Sequence, residues 1–388
     1  MDTLLAEELD WLRGRGLYRS LRRIDSAPGP RVVMGGREVI VFGSNNYLGL
    51  STHPDVVDAA VDATRRWGAG SSGSRLTTGC LAVHEELEDA LAAFKGTEAT
   101  LVFGTGYMAG VGVLDTLANA GDLILSDALN HASLIDGCRL SRAEVRVYRH
   151  NDVAHVREIL FERDRYRRCL IVTDGVFSMD GDIAPIGELR QLADVFDARL
   201  IVDDAHGTGV LGATGRGSFE HLGVDSTGVI QMGTLSKALG AEGGFIAGSR
   251  TLIDYLVNRA RPFIFSTAPA PATMGAALAA LRVIAAEPER RERLRANGER
   301  LRSTLRAAGF DVPAGETPII PVLFGDSDYA ARFAQALLDK GVYAPAIRPP
   351  TVPSGSARLR MSVMSNHTGA DIDQAVATMV ETRDLLGV

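Results

Sequence analysis

The sequence holds only three cysteines, Cys80, Cys138 and Cys169. They are odd in number and widely spaced, with no CxxC pair. Neither a zinc site nor a disulfide framework is indicated, and reduced thiols in a cytosolic protein fit best. Long apolar runs are lacking too: none approaches the roughly 20 residues needed to span a bilayer. Residues 1–16, MDTLLAEELDWLRGRG, carry acids inside the apolar stretch. They read as an amphipathic helix rather than a signal peptide, so a cytoplasmic chain with no membrane partner is expected. An excess of positive charge is also absent. The net charge is −7, which argues against nucleic acid as the main partner, because phosphate binding needs a basic surface. The local run Arg290, Arg291, Arg293 and Arg295 has helical spacing among glutamates and reads as a solvated helix face. No repeat or low-complexity tract is present.

At 388 residues, with 46% hydrophobic and 23% charged residues, the chain has ordinary globular composition and is too long for one ordinary core. Three regions separate. Residues 1–45 combine the amphipathic helix with two strand-like runs, VVM and VIVF, around Gly35-Gly36, a predicted hairpin. From 46 to 270, short β-branched runs alternate with helical patterns such as HEELEDALAAF and IGELRQLADVF. The runs are TLVF (100–103), DLILS (122–126), CLIVT (169–173), RLIVD (199–203) and GVIQM (228–232). Strands buried on both faces and separated by helices predict an α/β domain with a mostly parallel sheet. Residues 271–388 open with one long helical stretch. They then form a smaller α/β unit, with strands PIIPVLF and RLRMSVM and helices over 328–340 and 369–386.

Ligands of such sheets bind beyond the carboxyl ends of the strands, and the unusual residues fall there. IVDDAHGTG (201–209) delivers Asp203 and Asp204 to a strand end, with His206 following. A buried acid there must be paired; the bland alternative is a helix-capping Asp beside a structural His. GTLSKALGAEGG (233–244) puts Thr234, Ser236 and Lys237 after another strand. A buried lysine there has its pKa lowered and serves as a Schiff-base amine, unless it reaches solvent from a loop. FGTGYMAG (103–110) is not GxGxxG, since its third glycine falls at Gly110. It is weak as a dinucleotide fingerprint but still offers backbone N–H groups at a helix start to a phosphate. SDALNHAS supplies His131 and TDGVFSMDGD supplies Ser178. Lysine, acid, phosphate cup and imidazole together match pyridoxal 5′-phosphate. That cofactor needs an amine for its aldehyde, an anion site, and a carboxylate that keeps its ring nitrogen protonated.

These motifs, with SNNYLGL (44–50), GSSGSRLTTG (70–79), NHASLIDGCRLS (130–141), DGVFSMDGDIAPI (174–186) and RLRMS (358–362), run nearly the whole chain in order. They resemble the α-oxoamine synthases, which are pyridoxal-phosphate enzymes of the aspartate-aminotransferase-like fold type I. PAIRPPTVPSGSARLRMSVMSNH is most similar to the biotin-pathway branch. The resemblance implies that Lys237 carries the cofactor, Asp203 pairs with its ring nitrogen, His206 contacts its ring hydroxyl and His131 stacks on its face. It implies Gly106, Tyr107 and Thr234 at the phosphate, with Ser178 beside the cofactor. Arg360 would bind the amino-acid carboxylate through its fork, and Arg19, Asn45, His131 and Thr351 would contact substrate. Thr267 would reach a neighbouring subunit's phosphate, which makes a homodimer. Asp204 and Arg358 take no such role. Asp174 stands where many relatives have Glu. The implied reaction condenses L-alanine with a pimeloyl thioester, on coenzyme A or acyl carrier protein. Sister reactions join glycine to an acetyl or succinyl thioester, or serine to a long acyl chain, and only overall similarity separates them. An aminotransferase of the same fold and a nucleotide-binding module are the other classes.

Overall fold

The computed structural model describes residues 1–15 and 17–387. Its centre is a seven-stranded sheet built from β3 (Ala99–Phe103), β4 (Leu123–Asp127), β5 (Glu144–Tyr148), β6 (Cys169–Asp174), β7 (Arg199–Asp203), β8 (Ile230–Thr234) and β9 (Gly244–Gly248). The order is β3-β9-β8-β7-β6-β4-β5. Strands β4 to β8 pair in parallel, and β9 alone runs against both its neighbours. Residues along each strand alternate between two cores, as a period of two demands. Leu170 and Val172 enter one with Leu101, Ile201 and Met232; Cys169 and Ile171 enter the other with Leu125, Leu200 and Val202. Burial on both faces is why the central strands are near-continuous apolar runs.

Two strands escape the pattern expected from sequence. β5, EVRVY, lies at the sheet edge and buries only Tyr148, so its hydrophobic signal is diluted. β9, GFIAG, has glycine at both ends. β8 begins and ends two residues later than GVIQM, so Gly233 and Thr234 belong to the strand itself.

The predicted hairpin is present as β1 (Arg31–Met34) and β2 (Arg37–Val41), turning at Gly35-Gly36, where both φ angles are positive. β2 also pairs in parallel with β11 (Val342–Tyr343), which ties the N-terminal region to the C-terminal one. The smaller unit holds a second sheet, in which β13 (Ala357–Ser362) lies between β10 (Ile319–Gly325) and β12 (Ala346–Ile347). It is covered by helices Ser327–Asp339 and Gly369–Leu386. The long helical stretch after residue 270 is two helices, Pro271–Ala286 and Glu289–Ala307, interrupted at Glu287-Pro288. Proline lacks the N–H that the continuing ladder needs. The first of these helices packs on α2 (Pro54–Trp67) and α3 (Ala82–Lys95), while α1 (Asp2–Gly14) has no buried residue. A Cβ on Gly275 would lie 2.7 Å from the Ala59 carbonyl oxygen, so only glycine permits that approach.

The arginine run is not uniformly solvated. Arg293 and Arg295 are exposed, but Arg291 is buried and donates to the carbonyls of Ile284 and Ala213. Arg290 pairs with Glu287 at 2.6 Å. These guanidiniums satisfy carbonyls at the helix break, a tertiary demand invisible in helical spacing. The three cysteines are free thiols. Among the described residues no helix is long and apolar enough to cross a membrane, and no cluster of His, Cys, Asp and Glu is arranged to hold a metal ion.

Candidate active site

The carboxyl ends of β3, β4, β6, β7 and β8 converge on a cavity of about 230 Å³. It is lined by Thr105, Gly106, Tyr107, His131, Asp174, Asp203, His206, Thr234, Ser236 and Lys237, among others. Nine of the residues named from sequence thus meet in one place. On one side, Thr105 caps α4 (Gly106–Leu117), its hydroxyl accepting from Met108 N at 3.1 Å. The Thr234 hydroxyl lies 2.7 Å from that of Ser236 and donates to the Gly243 carbonyl at 2.8 Å. A Cβ on Gly244 would fall 2.5 Å from Gly106 Cα, and one on Gly106 would touch Thr234 at 3.3 Å. Helix N–H groups, two hydroxyls and backbone kept bare of side chains make a cradle for an oxyanion group.

At the other side stand the acids. Asp174 and Asp203 are register partners at the ends of β6 and β7, and both are buried. Asp203 accepts from Ala205 N at 3.0 Å, and Asp174 from His131 N at 3.2 Å. Burial pushes both carboxyls up; the neighbouring charge of Asp203 lifts Asp174 further, while Lys237 and His131 pull Asp203 back. Of the two, Asp203 is the one whose rise is opposed by neighbouring cations, so a cationic partner suits it. Burial lowers the Lys237 ammonium, Asp203 and Asp174 oppose that, and Arg360 adds to it. His206 is held well below its usual range by burial and by Lys237 and Arg360, so it is a neutral imidazole. His131 caps α5 (Ala132–Leu140) through Nδ1, which meets Ser133 Oγ at 2.8 Å, and its ring is exposed. The donor set fits pyridoxal phosphate. It offers an amine of lowered basicity, a buried acid for a ring nitrogen, an open imidazole face and an oxyanion cradle.

Arg360, on β13, is buried. Its Nε donates to the Ser178 carbonyl at 2.5 Å, and its Nη2 to Asn45 Oδ1 at 3.0 Å and to the Tyr47 hydroxyl at 3.3 Å. Three of its five N–H groups are committed, so the fork expected to grip a carboxylate has only the two hydrogens of Nη1 left over. Ser178 therefore meets the arginine through its carbonyl, and Asn45 through its amide. Arg358, next but one along β13, is turned to Asp180.

Three residues lie elsewhere. Arg19 and Thr351 line a second cavity of about 700 Å³ with Trp11, Tyr18 and Ile347. Thr267 is exposed and bridges to Ser74. Asp204 turns away from Asp203 into a buried ion pair with Lys95 at 2.9 Å. Sequence reasoning missed Lys95 and Tyr47. A lysine closing an amphipathic helix reads as surface, and Tyr47 was one letter of a quoted motif, with no sign that its hydroxyl would meet His206 Nδ1 at 2.7 Å.

Comparison with known proteins identifies the family. The family model described as aminotransferase class I and II matches residues 37–379. The chain is 50% identical to the 8-amino-7-oxononanoate synthase of Citrifermentans bemidjiense, with 99% of each chain covered. It is likewise 50% identical to 8-amino-7-oxononanoate synthase 2 of Bacillus subtilis, covering 97% of each. Among solved structures it is similar to serine palmitoyltransferase from S. paucimobilis with a bound PLP–myriocin aldimine. The TM-score is 0.94 and the identity 34%, over 99% of this chain and 97% of that one. It is also similar to 8-amino-7-oxononanoate synthase from Francisella tularensis, with TM-score 0.76 and 29% identity over 90% and 99%. The chain belongs to the aminotransferase class I and II family, of PLP fold type I, and within it to the 8-amino-7-oxononanoate synthases.

Proposed function

We propose that this chain uses pyridoxal 5′-phosphate to condense L-alanine with a pimeloyl thioester, releasing carbon dioxide and free thiol and giving 8-amino-7-oxononanoate, a step of biotin biosynthesis. The supporting observation is 50% identity over 99% of the chain to an 8-amino-7-oxononanoate synthase, in a protein whose cavity gathers Lys237, Asp203, His206 and His131. The serine palmitoyltransferase has the higher TM-score, but backbone likeness reports fold, and substrate choice is a property of side chains.

Bound pyridoxal phosphate supplies an electron sink for the carbanion left by proton or carbon dioxide loss from the amino acid. This chain's residues do the rest. Lys237 anchors the cofactor and, once released as a neutral amine, takes the α-proton of alanine. Burial in this cavity lowers its basicity, which favours the neutral amine that the step needs. Asp203, buried at the end of β7, would hold the proton on the ring nitrogen. Gly106, Tyr107 and Thr234 would receive the phosphate, and Ser178 would lie beside the ring. The exposed His131 imidazole would cover the ring face and meet the substrate, and His206 would face the ring oxygen. Arg360 takes the alanine carboxylate on Nη1, beside Asn45. Arg19 and Thr351 belong to the acyl side, in the second cavity. The carrier of the acyl group is coenzyme A or acyl carrier protein. Thr267, exposed and away from its own cavity, serves a neighbouring subunit in a cytoplasmic homodimer.

The test is purified protein with L-alanine, glycine or L-serine against pimeloyl, acetyl, succinyl and palmitoyl thioesters, following thiol and carbon dioxide together. Alanine with the pimeloyl thioester should be turned over best and yield 8-amino-7-oxononanoate. Preference for another pair would reassign the chain to a sister activity, and amino transfer without carbon dioxide would reject the class.

A further inference from the structure

His206 is buried, and its Nδ1 lies 2.7 Å from the hydroxyl of Tyr47, which is completely buried. Arg360 Nη2 donates to the same hydroxyl at 3.3 Å and to Asn45 Oδ1 at 3.0 Å, and that amide oxygen lies 3.2 Å from the phenol. A phenol has one proton to give, a guanidinium has only donors, and a neutral imidazole has one donor and one acceptor nitrogen. The guanidinium therefore occupies a lone pair of the phenol. The phenolic proton has two possible acceptors, Nδ1 and Asn45 Oδ1. The imidazole contact is shorter by half an ångström, and Arg360 already takes one of the two lone pairs of the amide oxygen. The proton points to Nδ1, and neutral His206 then carries its own proton on Nε2.

We propose that Tyr47 is a positioning residue that fixes His206 as the Nε2–H tautomer and transmits to it, through one shared hydroxyl, whether Arg360 is paired with a carboxylate. This rests on the reading that His206 faces the cofactor's ring oxygen. Nε2–H is then a donor to that oxygen, strengthened by the guanidinium behind the phenol, since chained hydrogen bonds polarise one another. When a substrate carboxylate neutralises Arg360, the donor weakens, so amino-acid binding is felt at the cofactor's oxygen without direct contact. Tyr47 does not itself line the cavity. The phenol stays protonated in this position because burial pushes it up, against the pull of Arg360.

Tyr47→Phe keeps the buried ring and removes only the hydroxyl. Two measurements test the proposal. In histidine-ring ¹⁵N spectra of the protein without cofactor, His206 (assigned by its loss in His206→Asn) should be a single Nε2–H tautomer. In Tyr47→Phe it should become a mixture or change form. In the protein loaded with pyridoxal phosphate, the pH midpoint of the visible band should move up by about 1 unit in Tyr47→Phe, a tenfold change in proton affinity. A weaker donor leaves the ring oxygen more basic. Propionate, a carboxylate without an amine, should shift the midpoint in the parent protein and leave it unmoved in the variant. An Nδ1–H tautomer in the parent protein overturns the proposal without any variant, and so does an unchanged midpoint with an unchanged propionate response. Failure to form a visible band would instead reject the cofactor reading, and the ¹⁵N spectra would still decide the role of Tyr47.

Discussion

Lys95 and Asp204 form a buried ion pair at 2.9 Å, with side chains 1% and 0% exposed. The pair holds the turn that follows β7. Lys95 Nζ also reaches the Arg216 carbonyl and Thr208 Oγ1, and Asp204 accepts from both the amide and the hydroxyl of Ser218. Asp203 and His206 sit on this same segment, so the pair anchors the acid and the imidazole of the site from behind. Lys95→Met keeps the length of the side chain and strands the carboxylate. Removing one partner of a buried pair costs about 3–5 kcal/mol, because a charge is left without compensation. At about 2.1 cal/mol/K of unfolding entropy per residue over a chain of 388 residues, that is a fall in Tm of about 5 °C. Adding Asp204→Asn to Lys95→Met removes the stranded charge and should recover part of the loss, a coupling that a double-mutant cycle reads directly. Calorimetry of Lys95→Met, Asp204→Asn and the double variant is the assay. A Tm change under about 1 °C for Lys95→Met would show that water or a rearrangement satisfies Asp204, and the anchoring argument would fail.

Arg360→Lys should raise KM for alanine about 30-fold with a smaller effect on kcat, since a lysine cannot satisfy Ser178 and Asn45 and still present donors to a carboxylate; an unchanged KM would place the carboxylate elsewhere. His150 is opposed by burial but lies 3.0 Å from Asp127 and 2.8 Å from Asp182, which together hold it up to about 10. A pKa raised on folding gives stability that is complete below about 6.5 and lost as pH rises towards 10. The parent protein should thus lose stability between pH 7 and 10 in thermal melts, and His150→Gln should show a flatter profile; parallel profiles would refute it.

Much of this was legible in the sequence because central parallel strands are apolar on both faces and deliver their functional residues at one end. RLIVD announces both a buried strand and the acid at its tip, and Lys237 follows the same logic. What escaped was set by partners distant in the chain. β9 is a strand because β3 and β8 flank it, and its glycines admit the phosphate cradle; nothing in GFIAG alone says so. Arg291 reads as solvated until the carbonyls at the helix break are seen. Tyr47 and Arg360 are 313 residues apart, and no local pattern forecasts their shared hydroxyl. The fork of Arg360 is a chemical device expected to grip a carboxylate, but the structure commits most of it to Ser178, Asn45 and Tyr47.

The central claim is that the amine of Lys237 holds the cofactor covalently, and borohydride reduction of the loaded protein followed by peptide mass spectrometry tests it most directly. A phosphopyridoxyl group on the peptide containing Lys237, and its disappearance in Lys237→Ala together with turnover, is the expected result. A label on another lysine, or a Lys237→Ala protein that still condenses alanine with the thioester at the parent rate, would contradict it.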